Sequence, residues 1–399
     1  MRPGFASRLA AVAALATLSA SATRAEPPQP AGSDPLLACI AAQGQALGFS
    51  GVVSVVGPST TTLYAHGVEG GPGSREIGRD TRFNLASAGK MFTAVSVAQL
   101  VDAGKLGLDD PIGRYVEGLT PQASAVTVRQ LLTHTSGLGN FFTLENLPAI
   151  EKARTVSDLM ALVGADKPEF PPGSRVQYSN TGFLLLGRLV ERVSGLSYDD
   201  YLRRHVFAPA GMTSTGLEPG PISVQAVGLT RMPVMGPPPP TGAPGGLIRL
   251  MPGPGPNGPT GPLRPAAEAA LRGSPAGGSY STAGDMQRFF AALINARLTS
   301  PAMLKALTSA QVVAAPAASE PSPVGHALGF GVGVYNGHRW FGHNGGAPGV
   351  NVEATAYPDD RDTVIVMANR DPPLASAMFQ RVRAMLLDPA TSGACPQRP

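Results

Sequence analysis

The chain has 399 residues, 43% of them hydrophobic, 6% aromatic and 15% charged, with 31 Lys and Arg against 27 Asp and Glu. That length and apolar share suffice for a sizeable core, in one large two-lobed unit or in two domains. Much of the positive excess sits in the first residues, so nucleic acid and anionic membrane surfaces are not favoured as partners.

Residues 1–25 carry Arg2 and Arg8, an apolar stretch from Leu9 to Leu18, and small residues ending in Thr23-Arg24-Ala25. This is the pattern of a secretory signal peptide. Its removal takes away three arginines and no acid, leaving 28 basic against 27 acidic residues. No later apolar run reaches the roughly 20 residues that a membrane span needs. The expected location is therefore periplasmic or secreted, without stable membrane insertion. Cys39 and Cys395 are the only cysteines. They could pair in an oxidising compartment or remain two buried thiols, and spacing alone leaves both readings open.

In chain order, Pro35 to Leu47 reads as a helix. Gly51 to Val56 and Thr61 to Val68 read as a hairpin of β-branched strands around Gly57-Pro58-Ser59. Helical patterning begins at Ala86 and runs from Lys90 to Ala103, where Gly104 stops it. It resumes at Val128 to Thr133, Val156 to Val163 and Thr181 to Ser194. Residues 233–265, with Pro237 to Pro240 and Pro252-Gly253-Pro254-Gly255-Pro256, are expected to hold no regular hydrogen-bonded structure. Ser281-Thr282-Ala283-Gly284-Asp285 looks like a cap leading into a helix from Met286 to Asn295. Strands are expected at Gly329 to Tyr335, His338 to Gly342, Asn351 to Tyr357 and Thr363 to Ala368, followed by a last helix from Ala375 to Leu387.

Strands at both ends and helices between them imply an α+β architecture, an antiparallel sheet assembled from the two chain ends with an inserted helical lobe. The expected limits are a leader over 1–25 and a catalytic region over 26–399. Within the latter, the α/β lobe covers about 34–82 and 276–390, the helical lobe about 83–232, and a Pro/Gly-rich connection about 233–275.

Three clusters carry the chemistry. In Ser87-Ala88-Gly89-Lys90 a hydroxyl and an amine lie one helical turn apart, placing a nucleophile beside a proton acceptor. At a helix start, the Ser87 backbone N–H and the positive helix end favour developing negative charge. A lysine held near that end and partly desolvated has a depressed pKa. Tyr178-Ser179-Asn180, on a loop at a helix entrance, supplies a phenol that can relay a proton and an amide that can bond both lysine and substrate. His343-Asn344-Gly345-Gly346, expected at the end of a strand, supplies an imidazole to bind or orient substrate. Its Gly345 and Gly346 let backbone approach a ligand closely, with the N–H of Gly346 completing an oxyanion hole with that of Ser87. His134 is read as a helix-end residue that fixes the following loop. Trp340 either walls the pocket or packs in the sheet, with packing favoured. The remaining histidines form no ligand cluster, so no metal and no cofactor are expected.

These motifs resemble those of the serine β-lactamase-like hydrolases of the class C type, a group that also holds D-alanyl-D-alanine carboxypeptidases, D-aminopeptidases and family VIII esterases. The resemblance runs from about Phe49 to the last helix. It rests on Phe83-Asn84-Leu85-Ala86-Ser87, Asp109-Asp110-Pro111-Ile112, Leu131-Leu132-Thr133-His134-Thr135-Ser136-Gly137-Leu138, Pro172-Gly173, Tyr178-Ser179-Asn180 and Gly277-Gly278-Ser279-Tyr280-Ser281-Thr282. It implies that Ser87 is acylated, that Lys90 and Tyr178 share general-base duty, and that Asn180 contacts substrate. It also implies a site between two lobes that needs no cofactor.

The third motif departs from the Lys-Thr-Gly of true class C β-lactamases, with His343 for lysine and Asn344 for threonine. A neutral imidazole offers a substrate carboxylate less than an ammonium, which turns the expectation away from efficient penicillin or cephalosporin turnover. The expected substrate is thus a small-molecule ester, amide or peptide. The alternative is a non-hydrolytic penicillin-binding-type receptor for cell-wall peptides or a protein partner.

Overall fold

The computed structural model describes residues 34–70, 73–143, 145–219, 225–231, 262–266, 271–313 and 324–388. The leader expected over 1–25 and Cys395 lie outside them. Cys39 is disulfide-bonded, and no free cysteine occurs among the described residues.

The first helix, Pro35–Leu47, starts where the Asp34 carboxylate accepts the N–H groups of Leu36 and Leu37 at 3.0 and 3.3 Å. It ends at Gly48, whose φ of 61° suits a left-handed cap. The strands in chain order are β1 (Gly51–Val56), β2 (Thr61–His66), β3 (Phe83–Asn84), β4 (Leu229–Thr230), β5 (Arg264–Pro265) and β6 (Tyr280–Ser281). They continue as β7 (Val312–Val313), β8 (Gly325–His326), β9 (Gly331–Tyr335), β10 (His338–Ala347), β11 (Val350–Tyr357) and β12 (Asp362–Ala368).

Eight of them form one sheet in the order β2-β1-β12-β11-β10-β9-β8-β7, with every neighbouring pair antiparallel. The sheet is thus assembled from both ends of the chain, as the strand distribution implied. Its outer face, through Val53, Val55, Val364 and Val366, packs on the helices Pro35–Leu47 and Leu374–Leu387. Its inner face, through Val52, Val352, Ala354, Ile365 and Met367, joins the larger core shared with the helical lobe.

At the centre of that core runs the helix Lys90–Asp102, apolar on all sides and buried at ten positions from Lys90 to Leu100. It packs against the helix Asn180–Ser194. This burial is what removes water from the amine at its first position.

Two expectations are corrected. The third motif was placed at a strand end, but β10 continues through His343, Asn344, Gly345 and Gly346 to Ala347, pairing with β11 throughout. Its glycines accommodate a neighbouring turn rather than a reversal of the chain. The span 233–265 was expected to lack regular structure, yet Arg264–Pro265 pairs with Leu229–Thr230. A proline is tolerated in so short a ladder because the adjacent Ala266 N–H supplies the donor, reaching the Gly228 carbonyl at 2.9 Å. Residues 232–261 lie outside the described part.

Candidate active site

Ser87 stands in a 3-10 turn, Ala86–Gly89, between β3 and the Lys90–Asp102 helix. In a 3-10 turn residues three apart eclipse one another, so Lys90 falls directly behind the serine. The turn is held from several sides. The Asn84 side chain accepts the Ala86 N–H at 2.7 Å, the Ser279 carbonyl accepts the Leu85 N–H at 2.7 Å, and the Ala86 carbonyl accepts the Gly278 N–H at 2.8 Å. Ala86 itself has a φ of 42°, a left-handed conformation that costs a non-glycine residue energy and that the surrounding bonds sustain.

Lys90 is wholly buried, with 0% exposure. Its Nζ lies 2.7 Å from Asn180 Oδ1, within hydrogen-bond reach of the Ala276 carbonyl, and 3.4 Å from Ser87 Oγ. Burial holds its pKa well below the ordinary lysine value of 10.5. A neutral amine has two protons and one lone pair. The Asn180 and Ala276 oxygens can only accept, so they take the two protons, and the lone pair is left facing Ser87.

Tyr178 donates its hydroxyl to Ser87 Oγ at 2.7 Å. Burial pushes the phenol's pKa upward despite that bond, so it stays protonated at neutral pH. Its loop is fixed by Ser179, whose side chain caps the next helix by accepting the Gly182 N–H at 2.8 Å.

The expected trio of Ser87, Lys90 and Tyr178 is therefore brought together, with Asn180 bonded to the lysine. Gly345 and Gly346 sit on the part of β10 that packs by the serine turn, and a Cβ at Gly345 would fall 2.2 Å from the Leu85 carbonyl oxygen. Ser87, Tyr178, Asn180, Gly345 and Gly346 all line one cavity of about 450 Å³. Phe141, Phe142, Ile150, Val156 and Leu159 form its apolar wall. Arg272 is the one cation lining it among the described residues, and Asp199 and Glu218 already pair with it. His343 does not line this cavity. It is half-buried beside Tyr178 in a neighbouring cavity, where burial and the nearby Lys90 lower its pKa to about 4.

Sequence reasoning passed over two contributors and read a third only in part. Asn140 accepts the Asn180 amide at 2.8 Å and so fixes which way that amide points. Ala276 contributes only a carbonyl, and the signal for it lies in Gly277 and Gly278, whose φ values of 131° and 83° let the loop close over the serine turn. His134 lies at a helix end, as expected, but its ring also stacks on Tyr178 at a centroid distance of 4.4 Å and its Nδ1 accepts the Ser179 N–H at 3.1 Å. Among the described residues no group of three or more metal-ligating side chains occurs, and no helix is long and apolar enough to cross a membrane.

A buried lysine, a phenol and a serine converge beside an antiparallel sheet, and the architecture that holds them is a β-lactamase/transpeptidase-like fold. The family model described as Beta-lactamase matches residues 36–387, and the chain belongs to that family. A stretch of 145 residues, 35% of the chain, is 37% identical to Penicillin-binding protein 4* of Bacillus subtilis (strain 168), and it covers only 32% of that relative's length. Among solved structures, a penicillin binding protein from Bacillus halodurans superposes with a TM-score of 0.73 at 26% identity, covering 88% of this chain and 99% of the other. The D-amino acid amidase from Ochrobactrum anthropi SV3, complexed with L-phenylalanine amide, superposes with a TM-score of 0.69 at 25% identity, covering 87% and 96%.

Proposed function

We propose that this protein is an exported hydrolase that cleaves an ester or amide with an uncharged, apolar acyl group through an acyl-enzyme on Ser87. The observation that carries the reading is the shared hydroxyl of Ser87, which receives a hydrogen bond from Tyr178 at 2.7 Å while the Lys90 amine stands 3.4 Å away.

In the proposed cycle Ser87 Oγ attacks the carbonyl carbon as its proton passes to the neutral Lys90 amine. The developing oxyanion lies between the backbone N–H groups of Ser87 and Gly346. Tyr178 then gives its proton to the departing oxygen or nitrogen, which leaves with the bonding electron pair, and Lys90 reprotonates the phenol. Water releases the acyl group by the reverse route, with the amine again taking the proton.

The apolar wall and the already paired Arg272 support an uncharged acyl group over a carboxylate-bearing one, since burying an unpaired carboxylate there would be costly. This favours esterase or amidase chemistry over β-lactam turnover. The disulfide state of Cys39 supports export, because such bonds persist in oxidising compartments.

The test is Ser87→Ala, assayed by fluorophosphonate labelling and by turnover of p-nitrophenyl butyrate. Labelling should vanish and turnover should fall at least about 10³-fold. Undiminished labelling would remove Ser87 from the mechanism, and labelling of the unaltered protein without steady turnover would favour a receptor.

A further inference from the structure

A second cavity, of about 330 Å³, lies on the other side of Tyr178. Tyr178 and Asn344 line both cavities, so the two adjoin at these residues. The second cavity is lined by Trp340, Phe330 and Phe379 and by the imidazoles of His134, His326 and His343, of which His134 stacks on Tyr178. Trp340 stands opposite Gly333 in the β9–β10 register. A Cβ at Gly333 would come within 2.8 Å of the indole and one at Gly331 within 3.6 Å, so two glycines make the room in which the ring lies across β9.

Burial lowers the pKa of both His326 and His343, leaving neutral imidazoles. The charged groups at its margin are engaged elsewhere. Glu353 accepts the Ser376 hydroxyl at 2.6 Å, and the Arg383 guanidinium lies 3.9 Å from the centroid of the Tyr335 ring.

The position of Tyr178 gives the cavity a direction. With the acyl chain in the apolar cavity, the atom that leaves the carbonyl carbon must lie beside the phenol that protonates it, and whatever is attached to that atom extends past Tyr178. We propose that the second cavity is the leaving-group pocket of this enzyme and that it takes an uncharged alcohol or amine carrying an aromatic ring, stacked against Trp340. The inference rests on the acyl-transfer reading above. Ser87 Oγ gains the acyl carbon, the bond to the leaving oxygen or nitrogen breaks with its electron pair on that atom, and the proton from Tyr178 completes the free alcohol or amine.

Trp340 is the only tryptophan in the chain, so fluorescence excited at long wavelength reports on this cavity alone. In the Ser87→Ala protein, benzyl alcohol should change the emission saturably, and ethanol over the same range should not. This titration needs no catalysis, so it decides whether the pocket binds even if Ser87 is not the nucleophile. For turnover, Trp340→Leu keeps an apolar side chain over Gly333. It should lower kcat/KM for a benzyl ester about 10-fold more than for the methyl ester of the same acid. Deacylation should be unaltered, because the acyl-enzyme is common to both. His326→Ala, a second variant outside the sheet centre, should shift the same ratio about 3-fold. The proposal is overturned if benzyl alcohol gives no saturable change, or if both variants lower the two esters equally.

Discussion

The two halves of β10 have different neighbours. From His338 to Gly342 the strand pairs with β9, and β11 joins on the other side at Phe341, so Phe341 and Gly342 are held on both edges. From His343 to Ala347 only β11 continues, since β9 begins at Gly331 opposite Gly342, and at Gly345 the face of the strand meets Leu85 and Ala86 at the start of the turn that carries Ser87. One strand thus serves as scaffold at one end and as a wall of the candidate cleft at the other. What separates them is where a neighbour begins. Both halves contain a glycine against backbone, but for different reasons. A Cβ at Gly342 would fall 2.1 Å from the Ala354 carbonyl oxygen inside the sheet, and a Cβ at Gly345 would fall 2.2 Å from that of Leu85 in the serine turn.

Substituting those two glycines gives the largest expected effects and the sharpest way to break the comparison. Gly345→Ala should reduce acylation at least about 100-fold by displacing the turn, and cost about 1–3 kcal/mol in stability. Gly342→Ala should cost a similar 1–3 kcal/mol, roughly, while the fraction that remains folded acylates within about 3-fold of the unaltered protein. Denaturant midpoints and active-site titration on the same samples separate the two, and equal loss of acylation per folded molecule would erase the distinction.

A smaller effect should appear at the boundary residue, His343. Its pKa in the folded state is near 4, against about 6.5 when unfolded. The unfolded chain therefore binds the extra proton first, and stability that is complete above pH 6.5 is lost as pH falls toward 4. His343→Asn should flatten the fall of Tm across that window and leave Tm above pH 7 nearly unchanged. A residual slope remains in the variant, because burial also lowers the pKa of His134 and His326. An unaltered slope would show that His343 does not titrate in this way. The smallest effect belongs to the scaffold half. Arg339 forms an exposed pair with Asp359, and Arg339→Ala should move Tm by no more than about 1 °C and leave turnover unchanged.

How much of this could be read in the sequence follows the same division. Elements with strong periodicity or caps were legible almost to the residue, as with the helices Pro35–Leu47 and Asn180–Ser194 and strand β1. That Ser87, Lys90 and Tyr178 belong to one cluster was legible as well, because an amine, a phenol and an alcohol in ordered motifs are chemically distinctive. The course of β10 was not, because a glycine required by contact with another part of the chain looks the same as one required by a turn. The two-residue strands β3 and β6 are too short to leave a periodic pattern, yet their pairing sets the entry to the serine turn. The Ala276 carbonyl is invisible for a simpler reason, since every residue has one.

The pairing of β1 with β12 also governs how the molecule can be assembled. Gly51 lies opposite Ala368, so partners that must meet are more than 300 positions apart along the chain. Closing so long a loop is entropically unfavourable, and sheets built from such remote contacts form slowly. The helical lobe can gather early from local contacts, but β2 and β1 have no place to dock until the final strand has been made.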